Sequence, residues 1–175
     1  MAAPTIRTVA SYLTHQEHSV DFFGKEFIVT VTPDSSVISR WIRDALFNNS
    51  FSSHPLVVGV GVQWTPLTYY SDPPPSGYYA ADPLPGNYYA DPLPSGRSYS
   101  DSPADTLQLC VANKCLIIQL GYCEQVPNSL RSFLTDPETT FVGIRNSQDA
   151  RKLAICCHQL EIGQLLDIRR CVIDS

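Results

Sequence analysis

The chain has 175 residues, 43% of them hydrophobic, which is enough for one folded domain with a core of its own. Its formal net charge is −5, so the total charge gives no general electrostatic grip on nucleic acid and leaves that task to a local basic patch. No apolar run reaches the length of a membrane span, about 18 residues, and the N-terminal stretch holds no secretory apolar segment.

An intracellular protein is therefore expected, in cytoplasm or nucleus. Organellar targeting stays open, because the residues before Gln16 include Arg7 and no acid. Residues 1–17 read as a flexible terminus and 18–175 as a single domain. "HSVDFFGKEFIVTVT", residues 18–32, reads as a hairpin: Val20, Phe22, Phe27, Val29 and Val31 alternate, and Gly24-Lys25 supplies the turn. "PDSSVISRWIRDALFN" is a helix. Asp34 or Ser35 caps it, and Val37, Ile38, Trp41, Ile42, Ala45 and Leu46 form its apolar stripe. "HPLVVGVGVQW" is nearly continuous in apolar residues, as a central strand covered on both faces would be.

Residues 69–103 differ in character. They repeat, imperfectly, a unit of about ten residues: two aromatics, Asp-Pro, another Pro, then Gly. Pro removes backbone donors, and few aliphatics are present, so a disordered or polyproline-like insert is expected. Its aromatic pairs and stiff Pro segments suit docking to another protein. Beyond it, "DTLQLCVANKCLIIQL" reads as a second hairpin turning at "ANK". The helix "NSLRSFLTD", the strand "TTFVGI", the helix "SQDARKLAICCHQL" and the strand "LLDIRRCVI" follow. Strands alternating with helices after a hairpin point to an α/β fold, a mixed sheet flanked by helices.

The six cysteines fall at 110, 115, 123, 156, 157 and 171. With no secretory signal, free thiols are expected. Zinc would want paired CxxC or CxxH units, whereas Cys156, Cys157 and His158 are adjacent and would point in different directions on a helix. Asp167 reads as a partner for a local ion pair. His54 and His158 have no catalytic partner in sequence.

The order "LVVGVGVQWTP", "DTLQLCVANKCLIIQL", "SLRSFLTDPETTFVGIRNSQDARKL", "LLDIRR" resembles the plant Werner-syndrome-like 3′–5′ exonuclease group. That group belongs to the DEDD exonucleases, on a ribonuclease H-like fold. The resemblance covers residues 18–172 apart from the insert. It implies a first-strand motif Asp-x-Glu-Trp, whose places hold Gly61, Gln63 and Trp64. It implies a second-motif Asp, matched by Asp149. The third motif, a Tyr or His followed four residues later by Asp, lies beyond "LLDIRR", and the sequence ends at Ser175 before it. The family's chemistry needs carboxylates at i and i+2 of one strand, which share a face and hold two divalent ions about 4 Å apart. Gly61 has no side chain, and Gln63 offers one neutral oxygen where magnesium prefers charged ones. Asp149 also suits a helix N-terminus, without a metal. Arg145, Arg151, Lys152, Arg169 and Arg170 are candidates to face phosphates, with a solvated charged face as the plainer reading.

The resulting expectation is a degenerate, non-catalytic member that binds a protein through the insert, or nucleic acid weakly, and needs no cofactor. The alternative is an active exonuclease on DNA or RNA that uses Mg2+ or Mn2+.

Overall fold

The computed structural model describes residues 3–65 and 102–171. Its strands are β1 (Thr5–Ser11), β2 (Gln16–Phe22), β3 (Lys25–Thr32), β4 (Leu56–Gln63), β5 (Thr106–Val111), β6 (Lys114–Gln119), β7 (Thr139–Gly143) and β8 (Leu165–Asp167). Its helices are α1 (Ser35–Asn49), α2 (Asn128–Leu134), α3 (Asp149–Ala154) and α4 (Ile168–Cys171). Among the described residues no helix is long and apolar enough to cross a membrane.

The strands form one mixed sheet in the order β1-β2-β3-β6-β5-β4-β7-β8. β4, β5 and β6 make an antiparallel meander, and β7 and β8 add in parallel beside β4. These five strands carry the α/β, ribonuclease H-like arrangement expected from the sequence. The β1-β2-β3 meander extends the sheet, joined by a parallel β3–β6 pair.

The core lies on one face. Leu56, Val58 and Val60 of β4, Leu107 and Leu109 of β5, Leu116 and Ile118 of β6 and Phe141 of β7 point into it, against Ile38 and Ile42 of α1 and Leu130, Phe133 and Leu134 of α2. The Phe133 and Phe141 rings meet edge to face at 5.8 Å. Each such side chain contributes roughly 1.5–3 kcal/mol by leaving water. α1 forms where expected because the Asp34 carboxylate accepts from the backbone N–H groups of Ser36 and Val37, at 2.8 and 3.1 Å.

Several expectations are corrected. Residues 1–17, read as a flexible terminus, contribute β1 and the start of β2. Every β1 residue except Ala10 is exposed, so the strand buries no face and leaves no alternation to read. The first hairpin turns at Phe23-Gly24, not Gly24-Lys25. Both have positive φ, 52° and 73°, as the twist of a two-residue turn demands. β4 is not covered on both faces: Val57 is 54% exposed while Val58 is fully buried.

The expected helix 147–160 stops at Ala154. Beyond it the Arg131 guanidinium takes the carbonyls of His158 and Gln159, at 2.8 and 3.3 Å, and these groups are thereby drawn away from a helical ladder. The last strand ends at Asp167, whose carboxylate accepts from the Arg169 N–H at 3.1 Å and starts α4. The insert read at 69–103 lies outside the described residues as far as 101. Its last two residues are described, and Ser102 is 2% exposed, part of the folded domain.

Candidate functional site

β4 alternates, so Val57, Gly59, Gly61 and Gln63 share the face turned away from the core. Gly61 and Gln63 are the two positions that the sequence resemblance matches to a pair of metal-binding carboxylates, and they lie on this face. Across the ladder, Gly61 pairs with Gln108 and Gln63 pairs with Thr106. A Cβ built on Gly61 would lie 3.0 Å from Gln108 Oε1 and 3.6 Å from Gln108 Cβ. The Gln108 carboxamide therefore lies against position 61 and would have to give by a few tenths of an ångström for a side chain there. Gln63 is exposed, and the buried Thr106 Oγ1 has no hydrogen-bond partner among the described residues.

The strand end is held by its backbone and by one acid. Asp105 N donates to Gln63 O at 2.8 Å, and the Asp105 carboxylate accepts from Thr65 N and Oγ1 at 2.6 and 2.7 Å. That carboxylate is committed to closing the strand.

Asp149 opens α3 and is 6% exposed. Burial pushes its pKa above the usual carboxylate value. One turn on, Lys152 is 2% exposed, with its ammonium 4.9 Å from the Trp64 ring centroid. This corrects the reading of Lys152 as a phosphate-facing residue, because its charge lies inside, over an aromatic face. Trp64 is half-buried beneath it.

Arg145 and Arg151 are exposed, Arg145 in the left-handed region at φ 55°. Arg169 grips Asp167 through two bonds, at 3.1 and 2.6 Å, and holds its carboxyl at about 2. Arg170, the second guanidinium of "RR", is exposed beside this pair. His158 Nε2 sits 3.1 Å from the Leu120 carbonyl, a structural position.

Among the described residues no three His, Cys, Asp or Glu side chains come together as a metal site would require. The donors present do not fit a two-ion centre. Position 61 offers no ligand, Gln63 and Gln108 offer neutral amide oxygens, and Asp149 offers a single carboxylate. The arrangement is suited instead to hydrogen bonding by carboxamides, which both donate and accept. Sequence reasoning named Gly61, Gln63 and Asp149 but not Gln108 and Thr106, which lie opposite Gly61 and Gln63 in the ladder. The alternation in "TLQL" shows that Gln108 faces away from the core; its position opposite Gly61 depends on the ladder register.

No protein-family model matches the chain, and no curated protein matches it in sequence. Solved structures do match. The EXD2 exonuclease domain soaked in Mg and GMP superposes with a TM-score of 0.55 at 16% identity, over 83% of this chain and 58% of that one. Another crystal structure of the EXD2 exonuclease domain gives 0.54 at 19%, over 83% and 58%. The form soaked in Mn and Mg gives 0.53 at 20%, over 83% and 57%. The chain thus spans less than two thirds of the EXD2 chains it matches. At these identities the likeness establishes a shared architecture: this chain has the ribonuclease H-like α/β fold of an exonuclease domain.

Proposed function

We propose that the chain is a degenerate 3′–5′ exonuclease-like protein of the plant Werner-syndrome-like type, which keeps the fold and works by binding instead of hydrolysis. The observation that carries this reading is Gly61 beneath the Gln108 carboxamide, with neutral Gln63 two residues on. Two divalent ions beside a phosphate need several negative ligands, and amides do not balance that charge. With the carboxylates gone, the face repels phosphate less when no metal is bound. Even so, Lys152 is buried and Arg169 is paired, so a dense basic stripe is missing among the described residues. We therefore favour a protein partner, reached through the 69–103 insert, over nucleic acid.

The purified chain should show no Mg2+- or Mn2+-dependent degradation of single-stranded or recessed-end DNA or RNA above background. Metal-dependent activity that Asp149→Ala abolishes would overturn the proposal. It would establish the second reading, an active exonuclease using the ions in which the EXD2 domain was soaked. Single-strand binding measured in EDTA across a salt series separates the two kinds of partner. Weak binding is expected. Tight binding that falls steeply with salt would transfer the function to nucleic acid, because several phosphates would then be neutralised.

A further inference from the structure

Cys110 and Cys115 face each other across the β5–β6 hairpin, paired directly in its register. The loop between the strands is Ala112-Asn113, so Val111 and Lys114 close the hairpin as its hydrogen-bonded pair. Antiparallel pairs alternate, which makes Cys110 and Cys115 the non-hydrogen-bonded pair, with Cα atoms about 4.5 Å apart. That separation falls within the range a disulfide spans, about 4.4–6.8 Å. Both side chains project from the half-exposed face, on the same ladder row as Gly59 and one row of that face from Gly61 and Gln108. Both thiols are free.

We propose that Cys110 and Cys115 form a dithiol–disulfide site on the sheet face beside Gly61, oxidised by small-molecule disulfides of the glutathione type. The Cys115 thiolate attacks one sulfur of oxidised glutathione, forming a mixed disulfide and releasing one glutathione thiolate. The Cys110 thiolate then attacks the Cys115 sulfur, forming the cross-strand bond and releasing the second. Two protein thiols lose two electrons and two protons, and one small disulfide becomes two thiols. Cys115 suits the attacking role because hydrogen bonding from Cys110 lowers its pKa, while the same interaction raises that of Cys110. Of the other described cysteines, Cys123 and Cys156 are 7% and 2% exposed, so the reagent reaches them less readily, whereas Cys157 is exposed and open to a mixed disulfide of its own.

The test incubates the folded chain with excess oxidised glutathione at mildly alkaline pH and reads intact mass and non-reduced peptide maps. Trypsin cuts after Lys114, between the two cysteines, so the bond joins two peptides, and fragmentation of the pair separates Cys115 from Cys123, which lies on the same tryptic peptide. The wild type should lose two hydrogens at this pair and retain no glutathionyl group there. Cys110→Ser should instead accumulate one glutathionyl group on Cys115, since nothing resolves the mixed disulfide. A guanidinium-unfolded sample should lose the preference for this pairing. A wild type that keeps glutathionyl groups at 110 or 115, that joins other cysteines first, or that leaves both thiols unmodified would overturn the proposal.

Discussion

At the scale of single residues, the candidate site turns on what replaces charge. A carboxylate at 61 would compete for space with the Gln108 carboxamide, which a Cβ there would approach to 3.0 Å. The charge that does remain, on Asp149, is buried in the first turn of α3. Burial raises its pKa from the ordinary 3.8, so the ionised form costs the folded state stability. An acid with a raised folded pKa imposes that cost fully above the raised value. The cost fades as pH falls towards 3.8, the unfolded value, and is gone once both states are protonated. Asp149→Asn should therefore stabilise the fold at pH 7 by roughly 1 kcal/mol, the lower end of what burying a poorly compensated polar group costs. The gain should vanish below pH 3.8 in parallel urea titrations. An Asn variant less stable than wild type at pH 7 would mean that the carboxylate has a stabilising partner. Gly61, Gln63 and Asp149 were legible in the sequence as positions, because motif order and strand alternation are local. Gln108 was not legible as the neighbour of Gly61, since cross-strand register depends on residues far apart in the chain. Nor was the burial of Lys152, which required knowing that Trp64 would lie under it.

At the scale of elements, legibility follows the strength of local signals. α1 was readable from end to end because a capping Asp precedes a regular apolar stripe. That cap should be measurable. Asp34→Ala should lower stability by about 1 kcal/mol at pH 7. The Ser36 hydroxyl and the Val37 N–H, both donating to the Asp34 carboxylate, depress its pKa below 3.8. For a depressed acid the stabilisation is complete above the unfolded value and is lost as pH falls through the folded one. The difference between wild type and variant should therefore shrink below pH 3.8 in denaturant melts. A constant difference down to about pH 2 would show that the carboxylate charge contributes nothing to the cap. α3 and β8 were overextended for a shared reason. Apolar residues continue past both, but Arg131 and Asp167 redirect the backbone through side-chain bonds that hydrophobic periodicity does not encode. β1 was missed because an edge strand exposed along nearly its whole length carries no pattern of burial.

At the scale of the whole molecule, the sheet is complete across the point where the insert leaves it. β4 and β5 are adjacent antiparallel strands paired from Gly59–Cys110 to Gln63–Thr106. Beyond the last pair, Asp105 ties the two strand ends through Gln63 O and Thr65. The β4–β5 connection is thus fixed at both ends by bonds that involve no residue of 69–101. Replacing 69–100 with a short Gly/Ser turn should leave the fold intact. Closing a shorter loop costs less entropy, about 0.6 kcal/mol per halving of length, so the melting temperature should hold or rise slightly. The boundary of the cut matters more than its length. Ser102 and Ala104 are 2% and 5% exposed, and Ala104 N donates to Lys152 O at 3.1 Å, joining the start of β5 to α3. A deletion extended through Ala104 removes that bond and opens the packing beside Trp64 and Lys152, so its melting temperature should fall by several degrees. Thermal unfolding of the two deletions side by side decides the matter. A large loss already in the shorter deletion would mean that the tyrosines of the insert pack on the domain and belong to its core.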